Sequence, residues 1–189
     1  MRDIYTEKTN KIVMTAMMMC LITMATMFFK VPIPFANGYV HLGDAFIFVA
    51  VLVLGMKYGA IAAAFGSALG DILGGFPVWA PWSFGIKGLM AIIMAACMAG
   101  LLKDKKHVMI AGIPVSELLG MVLSGLFMVA GYYVAEGLIY GNWLAALVGI
   151  PWNIGQFAVG MIVSVPLTAL LCKTPAKKYF TYKVATAGN

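Results

Sequence analysis

The chain has 189 residues, of which 62% are hydrophobic and only 11% charged. Ordinary soluble domains carry about 25% charged residues, so this composition excludes one and indicates an integral membrane protein of a single domain spanning residues 1–189. The net charge of +6 does not point to nucleic acid, because Lys and Arg gather at the ends of apolar segments, where they act as topology signals.

Six apolar segments follow in chain order, at about 11–31, 44–56, 58–75, 81–102, 115–140 and 143–172. They are continuous and rich in Gly, Ala and Met, without the alternating pattern of barrel strands, so they read as helices. Arg2, Lys8 and Lys11 precede a first run longer than a signal-peptide core, and no clear cleavage site follows, so it reads as a retained span. Pro32 and Pro34 end it. The second segment is short for a bilayer that needs about 20 residues. Segments two and three would place Lys57 at mid-membrane if they formed one span, so a helical hairpin turning at Gly55-Met56-Lys57-Tyr58-Gly59 is expected. The last segment should break near Pro151 and again near Pro166.

Orientation follows from the basic residues. With the N-terminus in the cytoplasm, eleven of the thirteen Lys and Arg residues fall on the inner side and only Lys30 and Lys87 toward the outer side. The expected fold is all-α, with six transmembrane helices and both termini cytoplasmic. Cys20, Cys97 and Cys172 read as small buried apolar residues and not as disulfide partners.

Asp44, Asp71, Lys87 and Glu136 lie within these segments, each at a cost of roughly 2.5–3.5 kcal/mol at the bilayer centre and less near its edge. The topology carries all four to the outer half. Helical spacing gives them company: Ser67 with Asp71, Ser83 with Lys87, Tyr132, Tyr133 and Tyr140 around Glu136, and Asn153 with Gln156. Aromatic residues, among them Trp79, Trp82 and Trp143, crowd the same side. Flat apolar walls with a few placed polar groups are what a small-molecule pocket requires. An interfacial aromatic belt is the alternative, favoured for Trp143. The charges have a second reading too, with Lys87 pairing Asp71 or Glu136 to lock helices together.

Gly66, Gly70 and Gly74 repeat every four residues and suit close helix approach. Ala16 and Cys20 form a weaker pair of this kind. Catalytic motifs are missing: there is no H-E-x-x-H, no G-x-S-x-G and no Walker A sequence, and His41 and His107 fall on opposite sides of the membrane. We expect no enzyme, no metal site and no cofactor in this chain.

Six blocks carry a resemblance. They are Gly38-Tyr39-Val40-His41-Leu42-Gly43-Asp44, Gly66-Ser67-Ala68-Leu69-Gly70-Asp71, Val78-Trp79-Ala80-Pro81, Ile86-Lys87-Gly88, Gly131-Tyr132-Tyr133-Val134-Ala135-Glu136 and Asn153-Ile154-Gly155-Gln156. Together, from about Met14 to Leu171, the chain resembles the substrate-binding (S) components of energy-coupling factor (ECF) vitamin importers, in the riboflavin-type branch. The resemblance implies a vitamin site facing outward from the bacterial cytoplasmic membrane. It also implies docking on a transmembrane coupling subunit with two ATPases, which consume the ATP, through an Ala-x-x-x-Ala pattern matched here by Ala16 to Cys20. His41 stands where Asn is expected, Gly70 where Ala often precedes the Asp, and Gly75-Phe76-Pro77 where Gly-Tyr-Ala is more usual.

The expected cargo is an aromatic ring-containing vitamin, pyridoxine or hydroxymethylpyrimidine first and riboflavin second, with pantothenate as an alternative. Asp44, Trp79, Trp82, Lys87, Tyr132, Glu136, Asn153 and Gln156 are the expected binding residues. Phe35, Asn37, Tyr39 and His41 are expected in a closing loop, and Asp71 in helix positioning. The rival from another class is a proton-coupled secondary carrier using Asp71 or Glu136; paired internal repeats would mark one, and none is found.

Overall fold

The computed structural model describes residues 2–33, 39–101, 109–110 and 113–182. The expected loop residues Phe35 and Asn37, and His107, lie outside them. Helix α1 (Arg2–Phe28) leads into a two-stranded antiparallel ribbon, β1 (Lys30–Pro32) with β2 (Tyr39–His41). Then come α2 (Gly43–Leu73), a 3-10 turn at Pro77–Trp79 and α3 (Ala80–Leu101). A second short ribbon, β3 (Met109–Ile110) with β4 (Ile113–Pro114), precedes α4 (Val115–Tyr140). A four-residue helix α5 (Trp143–Ala146), helix α6 (Gly149–Cys172) and a 3-10 turn at Pro175–Tyr179 complete the chain. This is an all-α membrane protein: five stretches among the described residues are long and apolar enough to cross a bilayer.

The second of those stretches has 31 residues and would be about 46 Å long if straight, well beyond a hydrocarbon core of about 30 Å. Gly55 breaks it, at φ 76° and ψ −172°, a region open essentially to glycine alone. The two arms, 43–54 and 56–73, double back on each other. Gly43 and Gly70, 27 positions apart, both press on Thr26 of α1, where an added Cβ would come within 2.5 and 2.7 Å of its side chain. At the turn, a Cβ on Gly59 would stand 3.0 Å from Val51 Cα. The expected hairpin is therefore the form this segment takes. Gly55→Ala should cost about 1–3 kcal/mol, read as a lower Tm of the detergent-solubilised protein.

The first arm is apolar on every side except at Asp44, and nearly all its residues are buried. A helix of that kind belongs at the centre of a bundle; α6 lies close enough that Gly160 meets Asp44 and Ala45. Its far end has carbonyls that the break at Gly55 leaves without helical donors. The C-terminal segment supplies them: Thr181 N–H donates to the Leu52 and Val53 carbonyls at 3.1 and 3.0 Å, and Thr181 Oγ1 donates to Val53 O at 2.9 Å.

On the second arm, Gly66 and Gly70 let α1 come close. A Cβ at Gly66 would stand 2.9 Å from Ile22 Cβ and 3.0 Å from the Met19 carbonyl. Gly66→Ala should push α1 away and lower Tm by several degrees, whereas Gly85→Ala, which meets nothing within 4 Å, should not. Gly74 serves differently, its carbonyl accepting a 2.8 Å bond from Lys30 Nζ. The break expected near Pro151 falls just before it, between α5 and α6; Pro151 sits in the first turn of α6, where a missing N–H costs nothing. Pro166 lies inside α6 without ending it.

Candidate functional site

Beside the β1–β2 ribbon, the ends of four helices line a partly open cavity. Its walls come from elements distant in sequence: Tyr39 and His41 from β2, Asp71 from the second arm of α2, Trp79 from the 3-10 turn and Ser83 from α3. Tyr132 and Glu136 come from α4, and Asn153 and Gln156 from α6.

A polar network forms its base. Lys87 and Asp44 are fully buried and form an ion pair. Lys87 also lies 5.2 Å from the Tyr132 ring centroid, close enough for a cation–π contact. Gln156 Nε2 donates to the second Asp44 oxygen at 2.9 Å, and Gln156 Oε1 accepts from the His41 backbone N–H at 3.0 Å. That single amide ties the ribbon to the ion pair. Both Asp44 oxygens and both ends of Gln156 are thereby committed.

Around the cavity, the Tyr39 hydroxyl donates to Asp71 Oδ1 at 2.5 Å. Burial, then the nearby Asp71 carboxylate, pushes the Tyr39 phenol well above its ordinary range, so it remains a donor. Ser83 Oγ and the Tyr132 hydroxyl are 2.8 Å apart. The Trp79 and Tyr132 ring centroids are 6.2 Å apart at a tilt of 54°, forming an aromatic wall. Asn153 is the polar neighbour of the Glu136 carboxylate, whose buried Oε2 has no hydrogen-bond partner among the described residues. Gly149 opposite has no side chain, and a Cβ there would collide with that carboxylate.

Several placements differ from the sequence expectation. Lys87 pairs with Asp44 and not with Asp71 or Glu136, and the pair lies beneath the cavity without lining it. Asp71, expected only to position helices, lines the cavity. Trp82 is half-buried and outside the lining: Trp79 and Ser83 share a face four residues apart, and Trp82 is turned off it. Ser83 was missed as a lining residue, although its spacing to Lys87 put both on one face. Trp143 is 48% exposed and packs on Tyr133, with ring centroids 5.7 Å apart. Ala16 and Cys20 are exposed on α1.

The model of the family described as ECF-type riboflavin transporter, S component, matches residues 6–173. The chain belongs to this family. It is a transport protein of a membrane vitamin-uptake system, and the S components of that family are not enzymes. Among its relatives is the thiamine precursor transporter HmpT of Lactococcus lactis subsp. cremoris, 29% identical over 169 residues, covering 89% of this chain and 91% of the relative. An uncharacterized protein of Pyrococcus woesei is 33% identical over 120 residues, covering 64% of this chain and 74% of that protein.

Proposed function

We propose that this S component binds a thiamine precursor of the hydroxymethylpyrimidine class and delivers it through an ECF module. The observation that carries this reading is the cavity itself: one aromatic wall, Trp79 with Tyr132, facing hydrogen-bonding groups from β2, α4 and α6. The relationship to HmpT supports the same reading. Pyridoxine, a single ring with hydroxymethyl substituents, is the second cargo of this class.

The proposed assignments follow. Trp79 and Tyr132 stack on the ring, and Glu136, Asn153 and His41 meet its polar edge. Lys87, Asp44 and Gln156 hold those groups in place, Asp71 fixes Tyr39, and the β1–β2 ribbon covers the cargo. The lysine-rich ends place both termini in the cytoplasm of a bacterial cell and the cavity on the outer side, with the α2 hairpin supplying two of six crossings. The exposed α1 face around Ala16 and Cys20 meets the coupling subunit, and two ATPases supply the energy.

Uptake of radiolabelled hydroxymethylpyrimidine into proteoliposomes tests this function. Accumulation should require the coupling subunit, both ATPases and ATP. Uptake by the chain alone under a pH gradient would contradict it and establish a proton-coupled carrier.

A further inference from the structure

Three features of the cavity determine what it can hold. The first is charge. Lys87 is committed to Asp44 below the cavity. Lys30 does not line the cavity; its Nζ donates to the Gly74 carbonyl and lies 5.5 and 5.1 Å from the Tyr39 and Phe76 ring centroids. Residues 34–38, Pro-Phe-Ala-Asn-Gly, carry no charge. The lining therefore has two carboxyl groups, Asp71 and Glu136, and no unpaired cation among the described residues.

The second feature is the tautomer of His41. Its Nδ1 accepts a 3.0 Å bond from the Gly43 backbone N–H, so the ring proton resides on Nε2. Burial, then the charge of Lys87, lowers the pKa of this imidazole to about 3, and it stays neutral at physiological pH. His41 thus offers the cavity an N–H donor and no charge. The third feature is Glu136 Oε2, a buried acceptor without a donor among the described residues.

We infer, building on the functional reading above, that the site selects its cargo by charge and hydrogen-bond polarity. It takes an uncharged or cationic nitrogen heterocycle with an acceptor for His41 Nε2–H and a donor, such as an exocyclic amine, for Glu136. It rejects the same ring once phosphorylated, and it rejects acyclic carboxylates such as pantothenate. An anion in this cavity would lie beside two carboxyl groups with no countercharge, the arrangement in which desolvation goes uncompensated. His41 is accordingly a specificity-determining residue, not only part of a closing loop.

Calorimetry on the full chain in detergent tests this with hydroxymethylpyrimidine, its monophosphate, pyridoxine and pantothenate, on the wild type, H41F and H41Q. Hydroxymethylpyrimidine should bind the wild type at least about 100-fold more tightly than its phosphate or pantothenate. H41F, which keeps a ring without its N–H, should lose about tenfold in affinity with Tm unchanged within a few degrees. H41Q, whose side-chain amide reaches the Nε2 position, should recover part of that loss. If the phosphate binds as tightly as the alcohol, or H41F binds as tightly as the wild type, the selection rule is overturned while the pyrimidine reading stands. If neither hydroxymethylpyrimidine nor pyridoxine binds the wild type, the functional reading fails and this inference with it.

Discussion

Lys87→Met should be the most destabilising single substitution at the cavity, costing about 3–5 kcal/mol and lowering the Tm of the detergent-solubilised protein accordingly. The ammonium and the Asp44 carboxylate are both fully buried, and each is the other's ion-pair partner. Removing the cation leaves the carboxylate facing only the Gln156 amide, far short of what its desolvation requires. The double variant Lys87→Met with Asp44→Leu removes both charges together and should recover most of the loss, since a buried pair replaced by apolar groups is often neutral. A double variant as unstable as Lys87→Met alone would show that the pair is not a coupled unit. Cargo affinity should fall in the double variant, because Gln156 then loses Asp44, its fixed partner, and with it the tie to the ribbon.

Glu136→Ala should have the opposite signature: a loss of cargo affinity on the order of 100-fold with little change in stability. Its Oε2 has no hydrogen-bond partner among the described residues, so no other internal bond of that oxygen is lost. Glu136→Gln keeps the shape and the Asn153 contact and should lose less. Calorimetric titration beside a thermal melt separates the two effects. An unchanged affinity with a large fall in Tm would make Glu136 an architectural residue and remove it from the cargo contacts. Gly149→Ala should mimic Glu136→Ala in part, because its Cβ would drive the carboxylate from its place.

Much of this was legible from local pattern. The second segment is too short to span alone and too long when joined to the third, and a Gly-flanked turn lies between them, so a hairpin was the consistent solution. The glycine repeat at 66, 70 and 74 marked a closely approached face because residues four apart share a side of a helix. The same periodicity placed Ser83 with Lys87 and Asn153 near Gln156.

Partners across helices were not legible. Periodicity gives the face a side chain occupies but not which neighbouring helix that face meets. Asp71 and Glu136 were therefore the expected companions for Lys87, and the true one, Asp44, emerged only once the hairpin set it at the base of the cavity. The separation of Trp79 from Trp82 depended on where the 3-10 turn gives way to α3, a boundary that no apolar pattern marks. The β1–β2 ribbon was hidden because each strand has only three residues, too few for an alternating signal to emerge. Its register, Lys30 opposite His41 and Pro32 opposite Tyr39, brings Tyr39 and His41 to the cavity wall.

The central claim, that this S component holds a single-ring thiamine precursor beside Trp79 and Tyr132, is tested most directly by what the protein retains through purification. Mass spectrometry of the ligand released from the purified chain should identify unphosphorylated hydroxymethylpyrimidine, or pyridoxine as the second cargo of the same class, at about one molecule per chain. A yellow preparation that releases riboflavin would contradict the account.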